Sequence, residues 1–323
     1  MNTEKILKKV YHSVRPVKYI FRKINRFKWW CFENFLSDKA FAQKKFKTGM
    51  GYKLNLESPT SLNEKINWLM LHDRTPLHTI CADKYAVRAH VTKKIGDEYL
   101  VPLLFHTDDP SRLTPENLPE IPFIIKTNHN SAGLEIVYDK QKTNWSKVRD
   151  KFTQLLKQNY FTASRQWQYK NIPPRIVVEK LLSDNHGNLP EDYKFHCFNG
   201  KVRMISVDKD RNTNIHSRTW HDINWIRQPF SWSNKRKNNA GYTDPLDHDL
   251  PKPKSLEKMI TLSEKLAEDF DYVRVDWYNI EGKIYFGEIT FHHSGGRCPI
   301  LPKEWDINLG QELKFIKSSQ SKI

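Results

Sequence analysis

Apolar and polar positions along the chain follow two periods, and the switches between them mark the elements. Ile66, Leu69 and Met70 recur at helical spacing behind Ser61-Leu62-Asn63-Glu64, a capping box that opens a helix. A second helix is predicted over 77–96, with Gly96 at its C′ position. Pro119 to Pro122 leads into a strand at 123–127, then the small polar loop Asn128-His129-Asn130-Ser131-Ala132-Gly133, then a strand from Leu134. A helix over 144–159, a strand over 176–182 and a hairpin over 193–208 follow. Asn199-Gly200 at the hairpin tip is the strongest short turn signal. Residues 209–252 show no period and read as a long functional loop region. A helix over 254–270 then delivers the chain to a last pair of strands. Helices mixed with mainly antiparallel hairpins predict an α+β protein.

That last pair, 273–278 and 286–290, carries charge inside apolar alternation: Arg274, Asp276 and Tyr278 share one face, as do Phe286, Glu288 and Thr290. Buried charges are costly unless they face each other, a metal or a charged ligand. A two-residue loop of Glu281-Gly282 points Asp276 and Glu288 to opposite sides. A three-residue loop of Ile280, Glu281 and Gly282 puts them on the same side, and this is the expected register. Two carboxylates and a guanidinium then converge, a set suited to Mg²⁺ bound together with a phosphate group. An edge hairpin with a structural Arg274–Glu288 salt bridge remains the alternative.

Composition narrows the partners. With 38% hydrophobic residues and a mean hydropathy of −0.72, no apolar run approaches membrane-spanning length. Four dispersed cysteines (Cys31, Cys81, Cys197, Cys298) form no CxxC pair, so reduced thiols in a cytoplasmic protein are expected. The amino-terminal residues lack the continuous apolar stretch of a secretory signal. Of the net charge of +16, residues 1–50 carry +10, from ten Lys and three Arg against Glu4, Glu33 and Asp38. Large apolar residues, among them Tyr19, Phe21, Trp29 and Trp30, alternate with those cations. That pattern fits an interfacial helix on an anionic membrane surface better than a nucleic-acid arm. Packing on the body is the alternative, and no nucleic-acid partner is expected.

Further residues fit nucleotide handling. Lys126 ends an apolar strand before the small-residue loop, where a lysine can neutralise phosphates. Glu179-Lys180-Leu181-Leu182 offers backbone groups at a strand end, Lys194 sits between Tyr193 and Phe195, and Lys84 follows Asp83 on the second helix.

Taken in order, Asp83-Lys84-Tyr85, Phe123 to Lys126, Val178-Glu179-Lys180-Leu181, Asp192-Tyr193-Lys194-Phe195, Arg274-Val275-Asp276 and Gly287-Glu288 resemble the motifs of the ATP-grasp superfamily. More narrowly, they resemble its teichuronopeptide-biosynthesis (TupA-like) branch, linked to bacterial surface polysaccharides. The resemblance spans roughly residues 50–310. It implies ATP and Mg²⁺ between two α+β lobes. The expected organisation is a basic amphipathic segment (1–50), a helical lobe (51–120), a small lobe (121–183), a large lobe with the metal site (184–310) and a tail (311–323). By the same resemblance, Lys84 and Lys126 contact phosphates, Glu179, Lys180, Leu181 and Leu182 form the adenine hinge, and Lys194 reaches the nucleotide. Arg274 stabilises the intermediate, and Asp276, Glu288 and Thr290 hold metal. Thr290 stands where many relatives have Asn, and its hydroxyl is the poorer ligand.

The implied reaction is ligation of a carboxylate to an amine through an acyl phosphate, with a uronic acid as the acid, lipid-linked or free, and an amino acid as the amine. Arg203, Arg211, Arg218 and Arg297 are candidates for binding the acid, Arg211 foremost. A general-base role for His292 or His293 is left open. A phosphotransferase acting on a sugar or amino-acid group is the first alternative, and a non-catalytic membrane- or nucleic-acid-binding protein is the second. The inner face of a plasma membrane is the expected place of attachment.

Overall fold

The structure is a computed structural model describing residues 36–131, 133–210, 215–233, 243 and 245–320. The basic segment up to residue 35 and Arg211 lie outside the described residues. Helix α1 (Asp38–Met50) is capped by Ser37, and α2 (Leu62–His72) carries the expected capping box between Ser61 and Glu64. The helix expected over 77–96 is in fact two, α3 (Pro76–Ala82) and α4 (Val87–Ile95). Asp83 breaks it: its carboxylate accepts from the Tyr85 and Ala86 amides at 2.8 and 3.2 Å, a local bond that competes with the helical ladder. Lys84 therefore sits in a turn and not on a helix.

Four antiparallel strands form the smaller sheet: β1 (Leu103–Thr107), β2 (Phe123–Thr127), β3 (Leu134–Val137) and β4 (Ile176–Lys180), in the order β1-β4-β2-β3. Phe123, Ile125, Ile176 and Val178 bury one face against α5 (Trp145–Leu156). Alternation leaves Lys126 and Glu179 on the other face. A short helix, α6 (Tyr160–Ser164), connects α5 towards β4.

The larger sheet holds β5 (Asp192–Phe198), β6 (Lys201–Lys209) and β7 (Ser217–His221). A two-residue strand β8 (Ser231–Trp232) and helix α7 (Leu256–Ala267) follow, then β9 (Tyr272–Ile280) and β10 (Lys283–Thr290). Its order is β10-β9-β5-β6-β7. Phe195, Val207, Val275 and Trp277 pack with Leu256, Met259 and Leu266 of α7 in the main core. β7 corrects the expectation of a loop throughout 209–252. Its residues are mostly polar, and Trp220, Thr219 and His221 are nonetheless buried, so the strand carries no apolar alternation to read. β11 (Ile300–Leu301) pairs with β8, and α8 (Glu304–Glu312) and α9 (Lys317–Gln320) close the chain. No helix among the described residues is long and apolar enough to cross a membrane.

Candidate functional site

The β9–β10 turn is the two-residue Glu281-Gly282, with φ of 52° and 93°, not the expected three-residue loop. Both residues adopt the positive φ that a tight hairpin turn of the primed type requires. In a regular ladder that turn would send Asp276 and Glu288 to opposite faces. They are instead direct cross-strand partners, because the register shifts by one between Phe286 and Glu288 and Gly287 forms a β-bulge. A Cβ at Gly287 would stand 3.1 Å from the Asp276 carbonyl oxygen, which makes glycine the fitting residue. The expected convergence holds, by a different device.

Cations bracket this pair. Arg274 donates from Nε and Nη2 to the two Asp276 oxygens, both at 2.6 Å, and from Nη2 to Glu288 Oε1 at 2.9 Å. Lys194, 2% exposed, reaches Asp276 Oδ2 at 3.2 Å and also contacts Asp192 and Asp208. Asp208 is in turn held by Arg218 through two bonds of 2.7 and 2.9 Å. Charges thus alternate across the sheet from Glu288 to Arg218. Partial desolvation works against the Glu288 carboxylate, but Arg274, Lys84 and Lys194 outweigh it and hold the group down to about 2. The Thr290 hydroxyl donates to Glu288 Oε1 at 3.0 Å.

The smaller sheet faces this row. Lys126 donates to Glu179 Oε2 at 2.9 Å, and Arg88 reaches Glu179 Oε1 at 3.3 Å. Burial opposes the Lys126 charge, but Glu179 more than compensates and raises its pKa. Lys84 donates to the Asn130 carbonyl at 2.5 Å, which ties the small polar loop to the α3–α4 turn, and burial lowers its pKa. Both lysines interact with the Glu288 charge, and Lys84, Tyr169, Gly287 and Glu288 line a small void. A separate cleft of about 390 Å³ runs between Lys180, Leu181, Leu182 and Ser183 and the hairpin residues Ile280, Glu281, Lys283 and Tyr285. Asn185 donates to both Glu281 oxygens, at 2.7 and 2.8 Å, and fastens the segment that follows β4 to the hairpin tip.

Lys84, Lys126, Glu179, Lys194, Arg274, Asp276, Glu288 and Thr290 thus form one interacting set, while Lys180, Leu181 and Leu182 line the cleft at the hairpin tip. Three of the arginines proposed for the acid do not stand free. Arg203 pairs with Glu312, Arg218 with Asp208, and Arg297 donates to the carbonyls of Gly295 and Ser164. His293 is buried behind Arg274, and its Nδ1 accepts from Arg274 Nη1 at 2.8 Å. Burial, then His196 and Arg274, keep it neutral. Asp208, Arg88 and the contact of His293 with Arg274 escaped the sequence reading, and Asp192 was quoted in a motif but given no role. For Asp192 the signal was present, since a residue two before Lys194 on one strand shares its face.

The donor chemistry fits Mg²⁺. Among the described residues, no three His, Cys, Asp or Glu side chains are grouped to hold an ion alone. Two adjacent carboxylates suit a hard ion that arrives with phosphate oxygens, and Arg274 already shows a cation seated between them.

Solved structures similar to this chain include D-alanine–D-alanine ligase from Bacillus anthracis complexed with ATP (17% identity, 66% of this chain and 55% of that one, TM-score 0.35). An L-amino acid ligase from Bacillus licheniformis is also similar (11% identity, 88% and 64%, TM-score 0.45), as is a D-cycloserine synthetase (12%, 74% and 72%, TM-score 0.39). The chain spans little more than half the length of the first. No curated protein sequence matches it. The family model described as TupA-like ATPgrasp matches residues 64–314. Matched over most of its length, the chain belongs to the TupA-like branch of the ATP-grasp superfamily and has its fold.

Proposed function

We propose that the protein is an ATP- and Mg²⁺-dependent ligase that joins a carboxylate to an amine through an acyl phosphate. The observation that carries this reading is the facing of Asp276 and Glu288, with Arg274 between them and Lys84 and Lys126 near enough to interact with the Glu288 charge. In this reading Lys84 and Lys126 bind the phosphates, and residues 180–183 and the β9–β10 hairpin bracket the base. Glu288 would hold Mg²⁺ through its open oxygen, with Asp276 facing it as the second carboxylate, and the ion would neutralise phosphate charge. Arg274 orients the acid, backed by His293.

A carboxylate oxygen of the acid attacks the γ-phosphorus and ADP departs. The amine nitrogen then attacks the acyl carbon, phosphate leaves, and the amine's proton goes with the phosphate. Positioning and charge neutralisation supply most of the acceleration in such chemistry. Family membership supports a uronic acid as the acid and an amino acid as the amine, in bacterial surface polysaccharide biosynthesis. The basic segment 1–45 would rest on the inner face of the membrane, which flotation with anionic liposomes tests against a truncated chain.

The first experiment is a thermal shift with Mg·ATP for wild type and Glu288→Ala. Saturation near 100 times Kd stabilises a protein by roughly 2.7 kcal/mol. A Mg²⁺-dependent shift that weakens in the variant is expected, and no shift in folded wild type overturns the reading. Hydroxylamine then separates ligase from kinase, since an acyl phosphate alone yields a hydroxamate.

A further inference from the structure

We infer that the site works with a single divalent ion, because Arg274 and Lys194 already occupy Asp276 and Thr290 withholds a further ligand. The inference rests on the nucleotide site proposed above. Phosphoryl-transfer sites use either one ion or a bridged pair, and a pair needs a shared carboxylate plus further oxygen donors. Three observations argue against a pair here.

The first is that Asp276 is already compensated from within the sheet. Both its oxygens accept from Arg274 at 2.6 Å, and Lys194 stands 3.2 Å from Oδ2. Neither cation can swing out cheaply. Arg274 is 8% exposed and held by His293, and Lys194 is 2% exposed and held by Asp192 and Asp208. Breaking a buried pair by removing one partner leaves an uncompensated charge, at a large cost.

The second concerns Glu288. Its side chain is 42% exposed, and among the described residues Arg274 and Thr290 bond only to Oε1. Oε2 is the oxygen open to an ion. One ion on this carboxylate, completed by phosphate oxygens and water, matches how Mg²⁺ is usually bound.

The third is Thr290. It shares the Glu288 face two residues on, where a second ion bridged by Glu288 would look for a donor. Its hydroxyl is turned back as a donor to Glu288 Oε1 at 3.0 Å. A neutral hydroxyl spent in this way offers a weak ligand, whereas an amide oxygen is a regular one for a hard cation. With Asp276 met by Arg274 and Lys194, Glu288 is the one carboxylate of the pair left with an open oxygen.

Counting bound Mn²⁺ tests this. The full chain is titrated with Mn²⁺ and a non-hydrolysable ATP analogue, with free Mn²⁺ read by electron paramagnetic resonance and bound nucleotide by equilibrium dialysis. Wild type should hold one Mn²⁺ per bound nucleotide, and two would overturn the inference. Thr290→Asn should gain a second, weaker Mn²⁺, and a count that stays at one would overturn the role given to Thr290. Thr290→Val should keep its single ion, and losing it would make the threonine a ligand after all. Wild type that binds no nucleotide would sink the site reading itself, an outcome distinct from a count of two.

Discussion

Asp276 and Glu288 are direct cross-strand partners only because Gly287 is an extra residue in its strand. The same bulge sits beside a contact from outside the sheet, where the Phe286 amide donates to the Tyr99 carbonyl at 2.7 Å. A defect in the ladder thus sets the spacing of the two carboxylates on which the proposed chemistry depends.

Gly287→Val should disturb that geometry. The added side chain starts 3.1 Å from the Asp276 carbonyl and 3.4 Å from the Tyr278 ring, so the strands must part slightly. We expect a loss of about 1–3 kcal/mol in denaturant unfolding, together with weaker Mg²⁺-dependent nucleotide binding. Unchanged Mg²⁺ dependence would show that the bulge does not set the pair.

Glu179 divides its carboxylate between Lys126 and Arg88, which makes it a positioning residue for the phosphate-binding lysine. Glu179→Gln should weaken ATP and ADP binding by about tenfold, in line with loss of a charge-assisted bond, and leave adenosine binding nearly unchanged. Calorimetry on the three ligands decides the matter. An equal loss for adenosine would assign the carboxylate to the base.

Acid should destabilise the fold through its buried histidines. Burial lowers His292 to about 3 from 6.5, and lowers His196 and His293 well below the ordinary range. Between those values the unfolded chain takes up protons that the folded chain refuses, so stability falls as pH drops below about 6.5. Above that pH these groups contribute no slope. Urea unfolding from pH 8 to pH 4 should show this, and His292→Asn should remove about one proton from the slope.

Asp271 is fully buried and accepts from the amides of Ile316, Lys317 and Ser318 and from the Ser318 hydroxyl, which pins the α9 segment to the end of the larger sheet. Asp271→Ala leaves those donors unmatched and should cost about 3 kcal/mol or more. Thermal unfolding with limited proteolysis at the carboxy terminus would register it, and an unchanged midpoint would count against the anchor.

Much of the site was legible because strand alternation is a strict period. Arg274 with Asp276, and Lys194 between two aromatics, are charges in apolar runs, and such charges must find partners inside. The Asn199-Gly200 turn and the Ser61–Glu64 box were legible for a similar reason, since each is a local backbone requirement met by neighbouring residues. The β9–β10 loop was misread because Glu281 can adopt positive φ beside Gly282, and nothing local marks which residue ends a strand. β7 was missed because its residues are mostly polar, and only the neighbouring strand, where Asp208 faces Arg218, gives that charge a buried partner.

The sequence alone determined the α+β class, the order of charged motifs and the family they resemble, because these depend on local periodicity and residue order. Only the tertiary structure decided that Lys194 is shared among three aspartates and that Glu179 serves Lys126 and Arg88. It also decided that one bulged glycine turns Glu288 towards Asp276. Electrostatic partners are chosen by distance in space, and register by the balance of packing over a whole sheet, so neither is written in any short stretch of chain.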